Sequence, residues 1–137
     1  MTAKEYLQQL HKAEVIIRQR RQENADLRSK LTSINSLDYT RDRVQTSRLA
    51  GAGYEKSVAK IIDLETEIEK RIDDYVALKD RIIGQIHNLY DVDQIKVLYK
   101  RYVLYEKFED IAADLDFSVR NVYKIHGHGL EEFQKCI

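Results

Sequence analysis

Between Ser118 and Phe133 the chain carries Arg120, Asn121, Tyr123 and Lys124, four side chains of the types that grip or read nucleic acid. Arginine suits guanine edges, asparagine suits adenine edges, and lysine and tyrosine suit phosphates or bases. With Val122 and Ile125 turned inward on a helix, the 3.6-residue period turns those four outward over its first two turns. Ser118 has the hydroxyl that caps such a helix at its start. His126 and His128 stand two apart, so on a helix they point to different faces, and no cysteine or carboxylate cluster completes a metal site around them. No metal or other cofactor is expected. There is no phosphate-cradling glycine loop and no nucleophile with a partnered histidine, so the chain is not expected to be an enzyme.

The elements that must position this helix follow from the residues before it. Phe108 to Leu115 gives a short helix with Ile111, Ala112 and Leu115 on one face. Asp116 and Phe117 form the turn, and Ser118 opens the next helix, whose apolar positions are Val122, Ile125 and Leu130. Small Ala112 lets the two helices cross closely, which is the sequence form of a helix-turn-helix. Upstream, Asp91 is placed to cap a helix running into Tyr99 and Tyr102. Tyr99, Tyr102 and Tyr105, beside Leu98, read as packing for this three-helix module rather than as base-stacking groups.

The remainder reads as a helical stalk. The chain has 137 residues, no proline and five glycines against 34% charged residues, a composition that gives a helix few places to stop. An all-α fold is expected. Tyr6, Leu10, Ala13, Ile17, Arg20, Asn24, Leu27, Leu31 and Ile34 recur on alternating steps of four and three, and a second series runs from Val58 and Ile61 through Ile68, Ile72, Tyr75, Ile82 and Ile86 to Leu89. Glu65 and Lys79 interrupt the second seam, with Leu64 and Leu78 beside them to cover the gaps. The spacing predicts two helices of about thirty residues folded as a long antiparallel hairpin, a coiled-coil-like stalk over 1–90, with a loop over 38–54 at the Gly51-Ala52-Gly53 break. Residues 91–137 then form the helix-turn-helix module. A two-helix stalk has a thin core, so self-association, with a dimer favoured, or packing of the module on the stalk is expected to supplement it. Asn24 either fixes the register of the seam or marks where the seam turns to solvent.

The stretch from Phe108 to Leu130 resembles the region-four helix-turn-helix of bacterial sigma factors, with Ser118, Val122, Ile125 and Leu130 on that family's pattern without a gap. The whole chain, stalk included, resembles small phage and prophage transcriptional regulators of the ArpU and RinA type. The resemblance implies a DNA-binding regulator of phage or prophage genes, an activator by preference, working in the cytoplasm of a bacterial host on double-stranded DNA, with host RNA polymerase as a further partner. It implies base contacts from Val119, Arg120, Tyr123 and Lys124, and the DNA-contacting set is completed by Ser118, Asn121 and His128. The chain departs from the family's pattern in three places. Asp116 replaces the usual turn glycine, a position where aspartate tolerates the left-handed conformation better than most residues. Val119 stands where a charge is common, which makes any base contact there apolar. Gly127 and Gly129 stand where alanine is preferred, each costing about 1 kcal/mol of helix stability, so fraying or bending is expected near His126.

Charge qualifies this reading. The 23 basic and 23 acidic residues balance, yet residues 1–48 hold ten basic against six acidic while residues 91–137 hold seven against nine. DNA affinity leans on phosphate neutralisation, and the module assigned to DNA is slightly acidic. Arg18, Arg20 and Arg21 therefore have two readings, a solvated helix face or an extra set of phosphate contacts. The carboxylates Glu65, Glu67, Glu69, Asp73 and Asp74 likewise read either as a solvated face paired with Lys70 and Arg71, or as an acidic surface for RNA polymerase. The rival function is a phage assembly or DNA-packaging protein, or a coiled-coil interaction protein, in which the helix-turn-helix serves as a packing unit. A lone Cys136 permits no internal disulfide and fits a reducing compartment. With no signal peptide and no apolar run near the roughly 20 residues of a membrane span, a soluble protein with no membrane partner is expected.

Overall fold

A computed structural model describes the backbone of residues 1–38 and 43–137 and the side chains of 1–33 and 53–137. Its elements are α1 (Ala3–Asp38), α2 (Arg43–His87), α3 (Val92–Leu98), a π-helical turn (Tyr99–Val103), α4 (Phe108–Leu115) and α5 (Val119–Gln134). The fold is all-α, and the described residues contain no strand.

The expected loop over 38–54 is corrected over 43–54, where α2 is helical and carries Gly51 and Gly53 inside it, while 39–42 lie outside the described residues. Glycine in a helix costs about 1 kcal/mol, and only proline removes a hydrogen bond outright. With no proline in the chain, two glycines flanking an alanine do not break a helix of 45 residues. The Ile34 position of the first seam falls outside the described side chains.

The chain divides into two compact units, one of residues 1–14 and 74–137, the other of residues 15–73. In the second, Ile17 of α1 is buried, as are Ile61, Leu64 and Ile68 of α2. Leu64 fills the seam beside Glu65, whose carboxylate instead pairs with Arg28. Arg20 joins Glu67 at 3.4 Å through Nε and Glu23 at 2.9 Å through Nη1, and Glu67 also takes Arg71 at 3.2 Å. Ion pairs therefore link α1 to α2 at Arg20–Glu67 and Arg28–Glu65. Asn24 lies in this seam with its Oδ1 enclosed and without a hydrogen-bond donor.

The first unit has the larger core. Thr2 and Glu5 open α1 as a reciprocal cap, the Thr2 amide donating to Glu5 Oε2 at 2.9 Å and the Glu5 amide donating to Thr2 Oγ1 at 3.2 Å. Ala3, Leu7 and Leu10 then pack with Ile82, Ile86 and Leu89 of the α2 end, and with Leu98, Tyr102, Val103 and Phe133. Tyr6 donates to Gln85 at 2.8 Å, again pairing the start of α1 with the end of α2. The sequence pattern divides the chain at residue 90, whereas compactness places 1–14 and 74–90 with the C-terminal helices, because Leu7, Leu10, Ile82 and Ile86 share one core with Phe133.

Candidate nucleic-acid interface

Three helices of the first unit build the frame for the exposed face of α5. Asp91 caps α3 from extended backbone, its carboxylate accepting from the Asp93 amide at 2.8 Å. The helix then widens into the π-helical turn, where the Leu104 amide donates to the Tyr99 carbonyl five residues back. Tyr105 follows with φ of 59°, an unfavourable conformation for an aromatic residue. Its ring sits 4.9 Å from that of His11, and its hydroxyl shares hydrogen bonds with Tyr75 and Glu14. Burial and these bonds push the Tyr105 phenol well above its ordinary range.

Val97 of α3, Ile111 and Ala112 of α4 and Val122 of α5 form a second core, flanked by Phe108, Leu115, Phe117 and Ile125. Ala112 is buried in this cluster together with Val122 of α5. Asp116 closes α4 at φ 61°, ψ 37°, in the left-handed region that the turn requires. Two residues later Ser118 caps α5 from extended backbone, Oγ accepting from the Asn121 amide at 3.1 Å.

The residues singled out from the sequence separate as follows. Val119, Arg120, Tyr123, Lys124 and His128 are exposed along α5, and Ser118 is exposed at its start. Asn121 is half-buried, less exposed than the expectation that groups it with the outward-facing residues. Among the described residues neither Arg120 nor Lys124 has a carboxylate within ion-pairing distance. His128 lies 3.8 Å from Glu131, one turn further on. Tyr123 keeps about half its surface while its ring packs 4.6 Å from Phe108.

The glycines behave differently from expectation. α5 is assigned as one continuous helix through His126 to Gln134. Gly129 is buried against Leu98, and a Cβ there would stand 3.3 Å from Leu98 Cδ1, so the absence of a side chain is what lets α3 and α5 approach. Gly127 faces open space.

Two residues to which the sequence reading gives no packing role complete the frame. His126 stacks on Tyr102, with its Nε2 2.7 Å from the Tyr102 hydroxyl, and meets the edge of Phe108 at 5.0 Å. Burial, then the cations Arg101 and Lys4, lower its pKa from 6.5 to about 4. Phe133 is fully buried against Tyr6 at 5.9 Å between rings. Both fall on the run Val122, His126, Gly129, Phe133 at steps of four, three and four, so the helical period alone would have placed them inward.

The described residues hold no group of three or more His, Cys, Asp or Glu able to bind a metal ion, and no helix long and apolar enough to cross a membrane. Comparison with known proteins finds no matching family model, no matching curated protein and no matching solved structure.

Proposed function

We propose that this chain is a DNA-binding transcriptional regulator, by preference an activator, that reads duplex DNA through the exposed face of α5 and self-associates through the α1–α2 stalk. The phage or prophage setting and the bacterial cytoplasm rest on the sequence resemblance. One observation carries the DNA reading. α5 has two chemically distinct faces: Val122, Gly129 and Phe133 are buried, while Arg120, Tyr123 and Lys124 stand in solvent over the first two turns. A capped helix held from behind and presenting unpaired cations at its N-terminal end is the form that enters a major groove. Arg120 is the candidate for a base edge and Lys124 for a phosphate, with Val119 offering an apolar contact to a thymine methyl.

Arg20 is drawn into ion pairs with Glu23 and Glu67, so it is a weaker source of phosphate contacts than its sequence position suggests. The same pairing takes Glu67 out of a free acidic surface for polymerase. The second reading, an assembly or DNA-packaging protein, is favoured by the acidic surface of α4, where Glu109, Asp110 and Asp114 are all exposed near α5.

Selection of bound sequences from a random duplex library at physiological salt tests the proposal, because non-specific charge attraction is weakened there while base readout persists. An enriched motif is expected. Arg120→Ala should relax specificity at one position by about 1–3 kcal/mol, and Lys124→Ala should weaken binding to all sequences alike and reduce the salt dependence by about one charge. No enrichment, or specific affinity unchanged in both variants, overturns the assignment in favour of the assembly reading.

A further inference from the structure

The first unit contains a cavity of about 200 Å³ between the start of α1, the residues after α3 and the back of α5. Its walls are aromatic: His11, Tyr102, Tyr105, Phe108 and His126 all line it. Its charges are of one sign, Lys4 and Arg101, and no aspartate or glutamate lines it. Glu14 is bonded to the Tyr105 hydroxyl, and Glu106 pairs with Lys100 at 3.8 Å. Arg101 is fixed in place, its guanidinium 4.2 Å over the Phe108 ring and its Nη1 donating to the Glu106 carbonyl at 3.0 Å. That leaves further guanidinium N–H donors, arranged in a plane that matches a carboxylate.

We propose that this cavity is a binding site for a small planar anion, a single aromatic ring bearing one carboxylate. The ring lies among the aromatic walls, and the carboxylate meets Arg101 and Lys4. Size selects the class. Pockets for drug-sized ligands run from about 300 to 1,000 Å³, so about 200 Å³ admits one ring and one anionic group but not a dinucleotide. Electrostatics agree, because Arg101 and Lys4 add to burial in lowering the His126 pKa. The inference is independent of the DNA reading.

The test is titration of the full chain with benzoate, followed by amide NMR shifts, alongside benzamide as the neutral counterpart and acetate and inorganic phosphate as ringless anions. Saturable shifts around Lys4, Arg101, Tyr105 and His126 are expected, with Kd of about 1 mM or tighter. Benzamide should bind about tenfold more weakly or not at all, and acetate and phosphate should not saturate. Lys4 is exposed in the first turns of α1, so Lys4→Gln should keep the fold while weakening benzoate about tenfold, and Lys4→Arg should restore it. The proposal is overturned if benzoate gives no saturable shift, if benzamide or acetate matches benzoate, or if a folded Lys4→Gln chain binds benzoate unchanged.

Discussion

The hydroxyl of Tyr102 and Nε2 of His126 lie 2.7 Å apart with their rings stacked, and this pair ties the π-helical turn to the middle of α5. The neutral imidazole is the form the site holds, since its pKa is lowered to about 4.

A histidine with a folded-state pKa below its unfolded value takes up fewer protons when folded. Its contribution is therefore fully present above pH 6.5 and is lost as pH falls toward 4. The full shift would correspond to about 3 kcal/mol, and with the ring partly in water about 1–2 kcal/mol is expected. Urea unfolding of the native chain and of His126→Gln at pH 7, 5.5 and 4.5 measures this, and the variant should show the shallower decline with acid. Equal declines would remove His126 as a contributor.

Gly127 and Gly129 should respond to alanine in opposite ways. Gly127→Ala meets open space and should stabilise by about 0.5–1 kcal/mol through helix propensity. Gly129→Ala gains the same propensity but presses a methyl onto fully buried Leu98, so a net loss of up to about 1 kcal/mol is expected. Thermal unfolding of the two variants side by side decides the sign.

Much of the candidate site is legible in the sequence. Ser118 caps and Asp91 caps because short oxygen-bearing side chains ahead of an apolar period have little else to do, and Val122 is buried because helical periodicity is local. What sequence could not give was contact between distant segments. Gly129 read as a weak point in a helix because Leu98, the residue that needs the space, lies in another element. Leu7 was passed over for Tyr6, its neighbour on the heptad count, because the choice between adjacent seams depends on Ile82, Ile86 and Phe133. The glycines at 51 and 53 do not break α2, since length and flanking helix formers outweigh two local penalties.

The left-handed turn at Asp116 offers a cleaner measure of local strain. Asp116→Gly should stabilise by about 0.5–1 kcal/mol, because glycine enters that region without steric cost. Asp116→Val should destabilise by about 1–2 kcal/mol. Chemical denaturation of both variants is the measurement, and a stabilising valine would contradict the geometry.

In the unit of residues 15–73, apolar contact should outweigh charge. Ile68→Ala removes a buried side chain and is expected to cost about 2–4 kcal/mol. Glu67→Gln breaks partly exposed pairs with Arg20 and Arg71 and should cost under about 1 kcal/mol, shrinking as salt is raised. Melting curves at low and high salt separate the two.

The packing of Tyr6 against Phe133 and the bond from the Ala3 amide to Gln134 Oε1 at 2.5 Å also set an order of events during synthesis. A ribosome delivers the start of α1 long before the residues that cover it. Residues 15–73 form one compact unit whose chain is complete once Asp73 has emerged, whereas the core around Leu7 and Leu10 is complete only when Phe133 has left the exit tunnel. Of the two units, the one that carries α5 is therefore completed later, and a nascent chain halted before Phe133 holds Leu7 and Leu10 in a core that still lacks its largest fully buried side chain.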